Sequence, residues 1–409
     1  MNRRGAFALG SYGMSVAISA VVTLLTIPVV VAHSGASAWA SLAVGQAVGT
    51  GAAILIGFGW GTTGPTLIAR ADPDDRGSLY VRSLQARAVL FLPLAVVATV
   101  AAFAFSPSAQ LESSITALAY AATGLLAGWF FTGAAEPVSF LALDTLPRVL
   151  GLALGALALI GGTHLVVLPI LQLLGVAAGV CASAWLVGRR PGAWSSFELR
   201  QSVAVLRSQS HGFVIALVAA GYASIPLSLV SLLAPGSLPV YALLDKLLRF
   251  ATTAYSPVLQ FLQGWVPAAP SARLLTRIRK ALVLGLAMAV VGGLAFVFLA
   301  PLFMRALSHG EIRPDSGIQI AFGVGLACMV LSQISGLVCL LALGGSKALA
   351  RLSVWSFAFG MTVLLLALLA GGVLGAAWGL AAAEILTAAL QIRLLYRSVK
   401  SHSGTAENS

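Results

Sequence analysis

Charge is what this sequence has least of: Asp, Glu, Lys and Arg make up 9% of its 409 residues, against roughly 25% in an ordinary soluble domain. Hydrophobic residues reach 59%, more apolar surface than a soluble fold can hide. Cysteine is scarce as well. Cys181, Cys328 and Cys339 lie inside apolar stretches, odd in number and without ligand spacing, which excludes a disulfide framework and a zinc site. The five histidines, at 33, 164, 211, 309 and 402, are scattered, and no nucleophile has a base at recognisable spacing. No catalytic constellation, metal or cofactor is therefore expected, and the chain does not read as an enzyme. Polar runs long enough for a separate soluble domain are also missing.

What remains is a succession of apolar segments. They read as about twelve membrane helices, near 6–32, 39–69, 88–106, 115–135, 146–162, 165–187, 211–233, 240–267, 281–301, 317–342, 353–370 and 373–395. At about 20 residues per crossing, twelve crossings use roughly 250 residues and leave about a dozen per loop. The fold class is thus all-α, a polytopic transmembrane bundle. Asn2-Arg3-Arg4 before an apolar run imitates a secretory signal, but 6–32 exceeds the usual signal core and reads as a retained first span.

The formal charge of +12 would suggest nucleic acid in a soluble protein. Here the basic residues fall in alternate loops: Arg3 and Arg4, Arg70 to Arg87, Arg148, Arg189 to Arg207, Arg273 to Lys280, Lys347 with Arg351, and Arg393 to Lys400. By the positive-inside rule those loops and both termini are cytoplasmic, and the partner of this charge is anionic membrane lipid, not nucleic acid.

The chain divides near its middle. A six-helix bundle over 1–188 is followed by a cytoplasmic linker over 189–211, a second bundle over 212–397 and a tail over 398–409. The linker, from Gly188 to Gly212, carries Trp194, Phe197, Val203 and Leu206 among polar and basic residues, as an interfacial amphipathic helix does. The halves echo each other at an offset of about 200 residues. Thr26-Ile27-Pro28 matches Ser224-Ile225-Pro226, Trp39-Ala40-Ser41-Leu42 matches Tyr241-Ala242-Leu243-Leu244, and Gly59-Trp60 with Pro65 and Arg70 matches Gly264-Trp265 with Pro270 and Arg273. Repeats six spans apart share one orientation and are parallel.

Few residues inside the spans carry chemistry. Ser11, Ser15, Ser19, Thr23 and Thr26 fall on one face of the first span, and Ser224, Ser228 and Ser231 repeat the stripe in the seventh. Such hydroxyls either line a polar cavity or permit close helix packing. Pro28 and Pro226 sit deep in those spans, where a proline frees a backbone carbonyl.

Asp245, Lys246 and Arg249 lie together in the eighth span, where charge is expensive and marks a partner or a wet cavity. Asp245 and Arg249 are four apart and can pair. Glu384, in the last span, is a second candidate beside Asp245 for coupling to an ion, or else a structural hydrogen-bond partner. Glu136, Asp144 and Arg148 surround a cytoplasmic turn and read as solvated or paired. Gly59-Trp60-Gly61-Thr62-Thr63-Gly64 has dinucleotide-loop spacing but follows a membrane helix rather than a strand, so that reading fails.

These segments resemble the polysaccharide flippases of the multidrug, oligosaccharidyl-lipid and polysaccharide exporter superfamily, which includes O-antigen and teichuronic-type exporters. The resemblance rests on Ile27-Pro28, Trp39, Gly57-Phe58-Gly59 to Pro65, Tyr241 through Lys246, and Trp129-Phe130-Phe131-Thr132-Gly133 followed by Glu136. Thr132 departs from the more usual Gln. The resemblance implies a V-shaped transporter in the bacterial cytoplasmic (inner) membrane, with spans one, two, seven and eight around a cationic cavity. It further implies a polyprenyl-diphosphate-linked oligosaccharide as cargo, alternating access as mechanism, and polysaccharide polymerase or assembly proteins as partners. Substrate contacts would then come from Arg249, Lys246 and Asp245 and from Ser15, Ser19, Thr23, Ser224 and Ser228. Two other classes stay open. An ion-coupled drug/cation antiporter would favour carboxylates over the even balance found here, and a membrane glycosyltransferase would need a larger outer loop than 301–316.

Overall fold

The computed structural model describes residues 3–189, 210–267, 271–313 and 315–406, so the expected interfacial helix of the linker lies outside the described residues. Among them there is no strand. The helices are α1 (Arg3–Gly57), α2 (Trp60–Arg70), α3 (Arg76–Phe105), α4 (Gln110–Ala122), α5 (Gly128–Gly133), α6 (Pro137–Ser139), α7 (Leu146–Ile160), α8 (Val167–Gly188), α9 (Ser210–Leu233), α10 (Leu238–Trp265), α11 (Ser271–Leu307), α12 (Ser316–Gln333) and α13 (Ser346–Ala406). Within the described residues, eight stretches are long and apolar enough to cross a membrane, and the α9 and α10 segments add to them.

Two of those stretches are too long for one crossing. Met14–Gly57 has 44 residues, about 66 Å of helix, twice the hydrocarbon thickness. Its backbone breaks at Gly35, where φ is 82° and ψ 164°, a conformation closed to residues with a Cβ. Ala348–Lys400, with 53 residues, breaks likewise at Gly371 and Gly372. Its two legs fold against each other: Gly375 abuts the carbonyl of Ala367, and a Cβ on Gly379 would fall 2.9 Å from the Cα of Leu364. Counting two legs each for α1 and α13, and one span each for α9 and α10, gives the expected twelve. The protein is a multi-pass membrane protein.

The chain forms two compact units, Met1–Leu232 with Leu307–His309, and Leu233–Ala306 with Gly310–Ser409. The division thus falls after α9. In the first unit the helices meet through small residues, as membrane helices do where backbones approach closely. Gly45 and Gly49 of α1 abut Ser113 and Ala117 of α4. Ser113, fully buried, donates to the Ser41 carbonyl at 2.8 Å and accepts from Ser106 at 2.7 Å. Helices α7 and α8 interlock through Gly151 and Gly155 on one side and Gly175 and Gly179 on the other; Gly151 and Gly175 face each other's backbone.

Apolar packing in this unit falls into separate clusters. One is built of alanines and Ile56 (Ala52, Ala98, Ala102, Ala117 and Ala121). Another, aromatic, gathers Trp60, Tyr80, Trp129, Phe130 and Phe131 with Ile68, Val81 and Val187. In the second unit, Tyr241 of α10 meets Phe322 of α12 edge-on at 5.3 Å, and Phe296 of α11 stacks on the same ring.

Candidate functional site

Helix α10 opens after the Pro235–Ser237 turn with Pro239 in its first turn, where a missing N–H costs nothing. Tyr241, Leu243, Leu244, Leu247, Leu248 and Leu262 are buried against the rest of the second unit. Among the residues left exposed, Arg249, Thr253 and Pro257 recur at a helical spacing of four. This is an amphipathic helix in a chain of membrane spans, and its polar stripe requires water or a polar ligand.

The charges sit on that stripe. Arg249 Nε donates to Asp245 Oδ2 at 2.7 Å, with a longer contact from Nη2 to Oδ1 at 3.4 Å. Arg249 keeps 43% of its side chain exposed and Asp245 15%. The pairing fixes the arginine rotamer on the exposed side of the helix. Lys246, about one turn before Arg249, is half-buried. The hydroxyls of Thr252 and Thr253 donate to the Arg249 carbonyl at 2.8 and 2.9 Å, extending the polar surface by one turn.

Glu384 lies elsewhere in the second unit, on the final leg of α13, 8% exposed. Tyr255 of α10 and Cys328 of α12 are within its electrostatic reach. Gln333 Nε2 donates to the Tyr255 hydroxyl at 3.2 Å, and Ser335 donates to Gln391 Oε1 at 3.3 Å. A buried carboxylate thus faces a polar seam joining α10, α12 and α13. Asp245 and Glu384 occupy different environments, the first ion-paired and the second enclosed.

The hydroxyl stripes are more buried than an open cavity wall. Ser15 is 2% exposed and Ser228 7%, while Ser19, Thr23 and Ser224 are half-buried. Thr23 donates back to the Ser19 carbonyl at 2.7 Å, and Thr26 to Val22 at 2.8 Å. Ser224 donates to the Ala47 carbonyl at 3.0 Å and abuts Gly51. These are the contacts of close helix packing, with Ser19 and Thr23 nearest the surface. The matched prolines, Pro28 and Pro226, both lie within continuous helix.

Two residues differ from the sequence reading. Arg87, grouped there with a cytoplasmic loop, belongs to α3, which begins eleven residues earlier at Arg76, and is 1% exposed. Asp144, read there as solvated or paired at a turn, is 6% exposed within a π-helical stretch, Phe140–Thr145. The reason is a break in the fourth span. Its carbonyls at Gly124 and Leu126 have no helical partner and are taken by Arg87 Nη1 at 2.9 and 3.0 Å; the freed N–H of Gly128 goes to the Asp144 carboxylate. The signal was present in the sequence, since Leu79, Tyr80, Val81 and Leu84 continue the apolar pattern N-terminal to Arg87.

Solved structures share this architecture. A multidrug resistance MATE family transporter of the MOP superfamily, in an inward-facing conformation, superposes with a TM-score of 0.75 at 13% identity, over 94% of this chain and 96% of that one. The fold is the one seen in that transporter. The lipid II flippase MurJ, inward closed, gives 0.68 at 13% identity over 95% of this chain and 87% of that one. The MATE multidrug transporter DinF-BH gives 0.57 at 18% identity over 96% of this chain and 95% of that one. No protein-family model matches the sequence, and no curated protein matches it.

Proposed function

We infer that this protein is a flippase that moves a polyprenyl-diphosphate-linked oligosaccharide across the cytoplasmic membrane by alternating access. The observation that carries the reading is the exposed polar stripe of α10, with Arg249 held in place by Asp245 and Lys246 one turn away. A guanidinium and an ammonium on a membrane helix suit an anionic headgroup such as a diphosphate, whose charge they offset without water. Ser19 and Thr23 offer hydroxyls to the sugars, the prenyl tail stays in lipid, and both termini face the cytoplasm. The shared fold with a lipid II flippase supports the reading.

Depletion of the protein in its native host tests it. A polyprenyl-diphosphate oligosaccharide is expected to accumulate on the cytoplasmic leaflet, its mass identifying the cargo. An unchanged lipid pool with altered efflux of cationic dyes selects the antiporter reading, which the fold shared with multidrug transporters also accommodates.

Glu384 fits the coupling role better than Asp245, because an enclosed carboxylate exchanges a cation or proton for a large electrostatic change, whereas Asp245 is already committed to Arg249. Glu384→Gln is expected to leave cargo binding to the solubilised protein within about twofold and to remove the dependence of transport on an ion gradient. Gradient-dependent transport in that variant would take Glu384 out of the cycle.

A further inference from the structure

Two spans of the first unit are interrupted, and a third is continuous but partly π-helical. The second breaks at Phe58 and Gly59, both at positive φ (43° and 84°), between the end of α1 and the start of α2. The fourth breaks between α4 and α5, where Leu126 is extended (φ −59°, ψ 156°). The fifth carries the π-helical stretch Phe140–Thr145 below a turn at Ala135, φ 56°. The segments beyond the breaks pack on one another: Gly64 of α2 lies against the Trp129 ring of α5, and a Cβ on Gly133 would fall 2.6 Å from the Pro65 carbonyl. Trp60 and Trp129 are 4.9 Å apart, and Tyr80 lies 5.2 Å from Phe130. The breaks therefore set α2 and α5, which share an aromatic cluster with Tyr80 and Val81 of α3 and Val187 of α8, apart from the alanine-packed contacts of α1, α3 and α4, the body.

Beside the ring contacts of Tyr80, a charged residue spans the joint. Arg87 is rooted in the body, where its Nε contacts the Ser83 carbonyl at 3.4 Å. It holds both carbonyls of the α4–α5 break, and its guanidinium lies 5.5 Å over the Trp129 ring of the cap. Asp144 holds the Gly128 amide from the other side. The joint is not fully satisfied. Arg87 Nη2, Tyr80 Oη, Ser83 Oγ, Trp60 Nε1 and Trp129 Nε1 are all buried without a hydrogen-bond partner. Buried polar groups are ordinarily hydrogen-bonded, so a cluster of enclosed donors without a partner beside two helix breaks marks a place where strain collects.

We propose that α2 and α5 form a cap that moves as one body about the breaks in the second and fourth spans, and that Arg87 is the latch holding it in the conformation seen. The device is independent of what the protein carries.

Hydrogen exchange of the full-length protein in lipid nanodiscs tests it, with wild type, Arg87→Lys and Arg87→Met followed over peptides 58–70, 110–122 and 123–137. In wild type, 58–70 and 123–137 are expected to exchange together and at least tenfold faster than 110–122. Arg87→Met should accelerate both cap peptides at least tenfold more and leave 110–122 unchanged. Arg87→Lys, which keeps the charge but not the fork, should fall between them and serves alone if the methionine variant does not fold. Acceleration confined to 123–127 would make Arg87 a local staple, and acceleration of all three peptides together would make it a global stabiliser; either result overturns the latch.

Discussion

An Arg249→Ala variant is expected to insert, fold and purify like the wild type while its translocation rate falls at least about tenfold, and Arg249→Lys should recover part of the loss. The side chain is 43% exposed, so its removal leaves no enclosed cavity. What it removes is a charge-assisted donor set; one such hydrogen bond contributes about 1.5–3 kcal/mol, a factor of roughly ten to a hundred. Asp245 would then be left on the stripe without its partner and, with Lys246, turn the local charge from net positive to balanced, removing the attraction for a diphosphate. Lysine restores the charge but offers a point donor where the fork gave two parallel ones, hence only partial recovery. The check is translocation of the lipid-linked cargo in reconstituted vesicles, with thermal unfolding measured alongside. Normal transport by Arg249→Ala would remove this residue from the mechanism.

Gly175→Ala is expected to destabilise the protein by about 2–3 kcal/mol, the usual scale of overpacking where backbone must yield, although alanine is the better helix former. A Cβ at Gly175 collides with the Pro147 carbonyl and lies 3.0 Å from the Cα of Gly151, both rigid backbone. The same substitution at Gly292 meets nothing within 4 Å and should stabilise by up to about 1 kcal/mol through helix propensity alone. Thermal midpoints in one detergent therefore move in opposite directions for one chemical change. If both variants rise together, the α7–α8 contact is looser than the glycines indicate.

The sequence carried the class and the count of spans because each crossing is a run of apolar residues whose length the bilayer dictates. It carried the α10 charges for the same reason, since Asp245, Lys246 and Arg249 interrupt such a run. It misplaced Arg87 because hydropathy assigns a basic residue to the nearest loop, and only the break at Gly124–Leu126, invisible in a series of Ala, Thr, Gly and Leu, explains why a guanidinium belongs inside. The hydroxyl stripes were legible as a face but not as a role: periodicity shows that Ser15, Ser19 and Thr23 share a side of a helix, and the neighbour on that side decides whether they meet water or another helix.

The double glycine that folds α13 back on itself bears on how the chain is made. A carboxylate at the centre of a lone membrane helix costs about 3 kcal/mol on insertion into the bilayer, and Glu384 belongs to the second leg, which leaves the ribosome after the first. Leu364 and Ala367 of the preceding leg already touch Gly379 and Gly375, so the two legs are expected to leave the translocon as one hairpin, the earlier carrying the later. Lengthening or stiffening the Gly371–Gly372 turn would then show itself in biogenesis, as a last span stranded outside the membrane, before any effect on transport could be measured.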